Sequence, residues 1–341
     1  MRALRYLITL FCLALAQTTA AESTANFKLE GFTESVIIVK DAKPLMRMMT
    51  QVGGWHVVGQ PKVDERLKTL WQLPGKAQIR QVLLANKGEA RGYIRLIEID
   101  NVEQAIIRSN TQSWDTGGIF DLNMRVIDLN KKHKELMSMG WFSTSDPVSF
   151  TFGPFEVNEW IVKNADGVAF ALIERLKPTL EGWPNLKQFS RVFNSTQVVK
   201  DIEKSLPFYT DILGFKTYLE HKGASKSAGP NVLGLPVDLT TQIERSVYIL
   251  HPQGINEGSI ELLQFHGAQG RDLSHLAKPP NIGIVTVRFP VDNLTALKRK
   301  LIENDIKIVS QSEMLLPPYG LVDMLAVQTP DNNWLEFYQK L

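Results

Sequence analysis

The stretch Lys200-Asp201-Ile202-Glu203-Lys204-Ser205-Leu206-Pro207-Phe208-Tyr209-Thr210-Asp211-Ile212-Leu213-Gly214-Phe215 decides how the chain is organised. Asp201 is a natural N-cap, and Ile202, Leu206, Tyr209 and Leu213 fall at i, i+4, i+7 and i+11, which is one face of a helix. Pro207 lies early in that helix, where a missing N–H costs least, and Gly214 supplies the left-handed residue that ends it. On both sides the pattern turns β-branched and aromatic, with Thr196–Val199 before and Phe215–Leu219 after. Two further strands are predicted around Ser246–Leu250 and Ser259–Phe265, so the unit reads βαβββ.

The same plan recurs along the chain. At an offset of 160, Asp41 matches Asp201, Met49 matches Tyr209, Gly54 matches Gly214 and Trp55 matches Phe215. At an offset of 165, Leu129, Leu136, Trp141 and Asp166 match Leu294, Leu301, Ile306 and Asp331. A constant offset held through helix, loop and final strand predicts two duplicated halves, 28–180 and 186–341, joined at Trp183-Pro184-Asn185. The last unit is clear. Gly283–Phe289 is its first strand, Leu294, Leu297 and Leu301 stripe its helix, and Ile306–Val309, Asp323–Gln328 and Trp334–Gln339 complete it. Units beginning near Phe32 and Phe120 follow the same template.

Composition narrows the function classes. The chain has 341 residues, 44% hydrophobic and 22% charged, the balance of an ordinary globular protein. Residues 1–21 read as a secretory signal peptide: Arg2 and Arg5, an apolar run from Tyr6 to Ala16, then small residues through Ala20 and Ala21. The expected location is therefore periplasmic or secreted. No later segment is apolar for about 20 residues, so no membrane association is expected once the signal is removed. Without Arg2 and Arg5 the basic and acidic residues balance at 36 each, which gives no electrostatic case for a nucleic-acid partner. The only cysteine, Cys12, lies in the signal segment, so the mature chain has no disulfide, thiolate nucleophile or zinc–thiolate site.

The stretch from Lys200 to Phe215 resembles the characteristic helix of the vicinal oxygen chelate superfamily, which includes glyoxalases, bleomycin-resistance proteins and extradiol dioxygenases. Thr329-Pro330-Asp331-Asn332-Asn333-Trp334-Leu335-Glu336-Phe337-Tyr338 resembles its final turn and strand. The resemblance implies an α+β fold of four βαβββ modules paired into two cupped mixed sheets. Modules 1 and 2 are expected to form one cup in 28–180, and modules 3 and 4 the other in 186–341. In the superfamily, metal ligands come from the first and last strands of paired modules. Carried over by position, these are Glu34, Arg95, Asp121 and Ala171 in the N-terminal cup, and Asn194, Glu261, Thr286 and Glu336 in the C-terminal cup.

The expected ligands depart from the superfamily at once, because none of the four first-strand positions is histidine. The six histidines, His56, His133, His221, His251, His266 and His275, lie elsewhere, so no iron site of the dioxygenase kind is evident. Glu261 and Glu336 stand out in apolar strands and are the expected catalytic or metal-ligating pair, with Asn194 and Thr286 as ligand-binding neighbours. Such an all-oxygen set suits magnesium, manganese or calcium. One glutamate acting as general base would instead suit a lyase or isomerase working on a small oxygenated substrate. The alternative is a binding protein that sequesters a small molecule without chemistry, as bleomycin-resistance members do. In the N-terminal cup, Arg95 between Glu34 and Asp121 reads first as a buried ion pair and second as a grip on a substrate carboxylate. Lys222–Gly234 reads as a loop over the mouth of the C-terminal cup. The sequence leaves open whether cups also pair across a homodimer.

Overall fold

The computed structural model describes residues 26–341, and the expected signal segment lies outside them. Four βαβββ modules follow one another. Module 1 contains β1 (Glu34–Ile38), β2 (His56–Gly59), β3 (Gln78–Ala85) and β4 (Tyr93–Asp100), and module 2 contains β5 (Ile119–Val126), β6 (Val148–Phe152), β7 (Phe155–Lys163) and β8 (Ala169–Lys177). Module 3 contains β9 (Phe189–Val198), β10 (Lys216–Gly223), β11 (Glu244–His251) and β12 (Ser259–His266), and module 4 contains β13 (Gly283–Pro290), β14 (Lys307–Leu316), β15 (Gly320–Gln328) and β16 (Trp334–Lys340).

The offsets read from the sequence reappear as geometry. A short helix running into a wider π turn at Met48–Val52 is matched 160 residues later by Ile202–Pro207 and the π turn Phe208–Ile212. Gly54 and Gly214 follow with φ of 70° and 74°, the left-handed region in which a side chain would be strained. At the other offset, Leu129–Ser138 and Leu294–Glu303 are both helices. They are capped by Asp128 onto the Lys131 N–H and by Asn293 onto the Ala296 N–H. Asp201 makes no such cap, because its carboxylate pairs with Lys204 instead.

The pairing of modules is where the expectation fails. One eight-stranded sheet runs β14-β15-β16-β13-β1-β4-β3-β2 and the other β10-β11-β12-β9-β5-β8-β7-β6. Module 1 therefore pairs with module 4, and module 2 with module 3, instead of 1 with 2 and 3 with 4. In each sheet the two first strands meet antiparallel, β1 with β13 and β5 with β9, and each last strand lies parallel to its own first strand. The register supplies a physical reason. Glu34 falls opposite Arg288, whereas β1 against β5 would bring the first-strand acids Glu34 and Asp121 into one cup. Opposite charges across strands favour the first arrangement and like charges disfavour the second.

The largest apolar core lies on the helix-bearing faces of both sheets, and Phe215 of module 3 packs there against Phe289 of module 4. Each opposite face has its own cluster. That of the 1–4 sheet takes in Leu67, Leu70 and Trp71, which belong to or follow a short helix, Arg66–Leu70, in the β2–β3 connection. That of the 2–3 sheet takes in Val232, Leu235 and Ile243 from the long β10–β11 connection. The loop expected over the C-terminal cup thus covers the 2–3 cup.

Candidate functional site in the 2–3 cup

Re-pairing the modules redistributes the expected site. Glu34, Arg95, Thr286 and Glu336 share the 1–4 sheet, while Asp121, Ala171, Asn194 and Glu261 share the 2–3 sheet. Glu261 and Glu336 therefore do not converge as expected, because they stand on different sheets.

The charges of the 1–4 cup are paired internally, with Arg288 Nη2 and the Tyr319 hydroxyl left without a partner. Arg95 donates from Nε and Nη2 to Glu34, both at 2.7 Å, from Nη1 to Gln81 at 2.8 Å, and from Nη2 to the Pro317 carbonyl at 2.6 Å. Arg288 bridges the two acids, with Nη1 to Glu34 at 2.6 Å and Nε to Glu336 at 2.6 Å. Indole N–H groups of Trp71 and Trp334 donate to the other Glu336 oxygen at 2.6 and 3.0 Å. All four charged residues are 0% exposed. Burial works against the Glu34 carboxylate, yet Arg95 and Arg288 outweigh it and hold its pKa below the ordinary range. The Thr286 hydroxyl donates to the Val287 carbonyl at 3.1 Å. The structural account of Arg95 is the observed one, with Arg288 in the place expected for Asp121.

The 2–3 cup is different. At its floor Asn123 donates from Nδ2 to Asn194 Oδ1 at 2.6 Å, Thr196 Oγ1 at 3.1 Å and Asp121 Oδ1 at 3.4 Å. Asn194 donates in turn to Ser259 Oγ at 2.8 Å, so its amide is engaged on both sides. Asp121 and Glu261 flank Thr196 from β5 and β12, and Glu159 of β7 stands level with Ile173 of β8. Burial first, with Thr196, Arg108 and Lys163 opposing, puts Asp121 at about 7. Burial and then the neighbouring acids raise Glu159 and Glu261 to about 8 each. Both glutamates are only half-buried, and neither takes a hydrogen bond from a described residue. Each glutamate thus keeps some exposed surface on a face otherwise lined by apolar side chains.

Two arginines close one end of this cup. Arg125 of β5 is 8% exposed; its guanidinium lies 4.4 Å from the Phe193 ring centroid, and its Nε has no partner. Arg175 of β8 lies 3.9 Å from the Phe155 ring centroid, also with an unpartnered Nε. Neither forms a salt bridge among the described residues, although burial and its like-charged neighbour Arg175 lower Arg125 to about 10. At the opposite end Arg108 is engaged, donating to the carbonyls of Gly117, Gln112 and Asp115. Over the mouth, residues 224–243 are tied down by Ser113 Oγ donating to the Leu233 carbonyl at 2.6 Å. A separate hollow of about 440 Å³ between the helices has a charged lining that pairs internally through Lys132 and Glu135.

Neither cup fits a resident divalent metal. In the 1–4 cup guanidinium groups occupy the centre. In the 2–3 cup Ala171 has no donor side chain and the Asn194 oxygen is already bonded. Among the described residues no three His, Cys, Asp or Glu side chains converge on a point that would hold an ion. The magnesium, manganese or calcium expectation thus loses its ligand set.

Arg288, Trp71, Glu159, Arg125 and Arg175 were not singled out in the sequence. Alternation marked three of them: Glu159 interrupts an inward series with Val157 and Ile161, Arg125 continues Asp121 and Asn123, and Arg175 continues Ala171 and Ile173.

No curated protein matches the sequence. Among solved structures, glyoxalase I from Zea mays is similar at a TM-score of 0.59 and 15% identity, over 92% of this chain and 93% of that one. A putative dioxygenase from Bacillus subtilis is similar at 0.57 and 12% identity, over 92% and 86%. At such identities the likeness is one of fold. Residues 191–337, modules 3 and 4, match the Glyoxalase/Bleomycin resistance protein/Dioxygenase superfamily model. Modules 3 and 4 thus match that superfamily's model, and the described residues as a whole have the four-module fold seen in glyoxalase I.

Proposed function

We propose that this protein binds a small oxygenated anion in the 2–3 cup, with Arg125 and Arg175 taking the anionic group and Glu159 and Glu261 facing the rest of the ligand. Arg125 carries the reading. A guanidinium more than nine-tenths buried, stacked on Phe193 and lacking a carboxylate partner, leaves donors that a ligand carboxylate can take in bidentate geometry. Apolar walls from Ile161, Val198 and Leu263, under the cover of residues 224–243, suit a molecule with few polar atoms. The binding cup is thus built from halves of both expected domains, and Glu336 and Thr286 have no part in it.

Calorimetric titration with short carboxylates of two to six carbons, pyruvate among them, tests this. Arg125→Met is expected to weaken the best binder at least ten-fold, about 1.4 kcal/mol; unchanged affinity overturns the reading. The same panel in deuterium oxide reads catalysis. Exchange of carbon-bound protons that Glu261→Gln abolishes marks an isomerase or lyase, since carboxyl groups near neutrality exchange protons readily. Binding without exchange marks sequestration. Export is part of the proposal, supported by the Arg2–Ala21 segment. The mass of the exported chain should place its first residue at Ala21 or Glu22, and recovery of intact Met1 counts against it.

A further inference from the structure

The 2–3 cup holds two kinds of ionisable group, acids and arginines, that form no ion pair with each other and stand at separate levels. Arg125 on β5 and Glu159 on β7 flank Ile173 of β8, about 10 Å apart at the backbone across two strand spacings. Arg175 is two residues further along β8 on the same face. Asp121 and Glu261 flank Thr196 at a deeper level, four residues from Arg125 along β5. A cup holding only an anion would gain nothing from three acids, because ionised they repel it and protonated they carry no charge to match it. A cup holding only a cation would gain nothing from a buried, unpartnered Arg125.

We infer that the ligand is amphoteric: its carboxylate meets Arg125 and Arg175, and a protonated amine a few carbons away meets Glu159 and Glu261. This rests on the anion-binding reading above and names the ligand class. An amine compensates the acid cluster in the way Arg288 compensates Glu34 and Glu336 in the other cup, where a guanidinium bridges acids from two strands at 2.6 Å. An ammonium group carries three donors, and neither glutamate takes a protein hydrogen bond, so each can accept one. The groups that face the acids from neighbouring strands do not serve this purpose. Lys163 donates to the Thr111 carbonyl and Arg108 to three carbonyls.

The test compares matched pairs by calorimetry on the full chain: 4-aminobutyrate against butyrate, and 5-aminovalerate against valerate. The amino member of at least one pair is expected to bind ten-fold or more tightly than its amine-free partner. Glu159→Gln and Glu261→Gln should remove that preference by weakening the amino member ten-fold or more, while the amine-free member binds no more weakly than to wild type. Arg125→Met should weaken both members alike. Equal or tighter binding of the amine-free members, still lost in Arg125→Met, sinks the amphoteric inference and keeps the anion reading. An amine preference that survives both glutamine variants also sinks it. Carboxylate affinity indifferent to Arg125→Met sinks the anion reading, and no binding by either series at millimolar concentration counts against both. Thermal melts of the variants guard against misfolding.

Discussion

The two cups share one frame and handle buried charge in opposite ways. In the 1–4 cup two acids meet two arginines on neighbouring strands, and Gln81, Trp71 and Trp334 take up much of the remaining hydrogen-bonding capacity. In the 2–3 cup the acids outnumber any cation bonded to them, and Arg125 and Arg175 stand near without pairing. The difference comes from a few positions. Where β4 offers Arg95 and β13 offers Arg288, charge is neutralised within the protein; where β8 offers Ala171 and β9 offers Thr196, the neighbouring acids have no guanidinium bonded to them. The same strands can thus carry a fully paired set of buried charges in one cup and an unpaired set of acids and arginines in the other.

The same substitution in each cup sharpens this contrast. Glu336→Gln strips Arg288 of a counter-ion in a dry setting and should destabilise the protein by about 3 kcal/mol, the scale for breaking a buried pair. Thr286→Val in that cup serves as control and should stay within about 1 kcal/mol, since it loses one local hydrogen bond. Chemical denaturation at pH 7 measures both, and a neutral Glu336→Gln would break the comparison.

Glu261→Gln should act in the other direction. With its pKa raised from 4.5 to about 8, folded Glu261 keeps a proton that the unfolded chain has released. Between those values the folded state binds more protons, so the wild type loses stability as pH rises through the window. Asp121 and Glu159, raised to about 7 and 8, add to the trend, and their shifts are limited by Arg108 and Lys163 beside the first and Arg125 beside the second. The variant should therefore match wild type near pH 4 and exceed it by about 1–2 kcal/mol at pH 8, part of the shift being shared with its coupled neighbours. Denaturation across pH 4–8 checks the sign; a variant that is less stable at pH 8 would show that Glu261 already has a cationic partner.

Much of this was legible in the residues, and the failure has a physical source. The βαβββ plan could be read from the stretch around Asp201–Phe215, and each carried-over position fell on the intended first or last strand. Pairing could not be read that way, because every module presents a similar apolar first strand to its partner. The discriminating signal was a charge, Arg288, two residues beyond Thr286 on β13 and opposite Glu34. Glu159 escaped because the superfamily's ligands come from outer positions in the module order, whereas this acid stands on the third strand. The Trp71 contact could not be foreseen from strand patterns, since its indole reaches Glu336 across 265 residues of sequence.

The nested pairing of modules also sets an order of assembly. The 2–3 sheet is built from one contiguous run of chain, and β5 meets β9 as soon as module 3 exists. The 1–4 sheet joins the two extremes, with Glu34 and Arg288 separated by 254 residues. A chain emerging from its N-terminus must hold β1 open, one edge unsatisfied, until nearly everything else has been made. Loop closure over such a distance slows folding, and an unpaired edge invites pairing with other chains. The strand that must stay unpaired longest is the one whose partner arrives last.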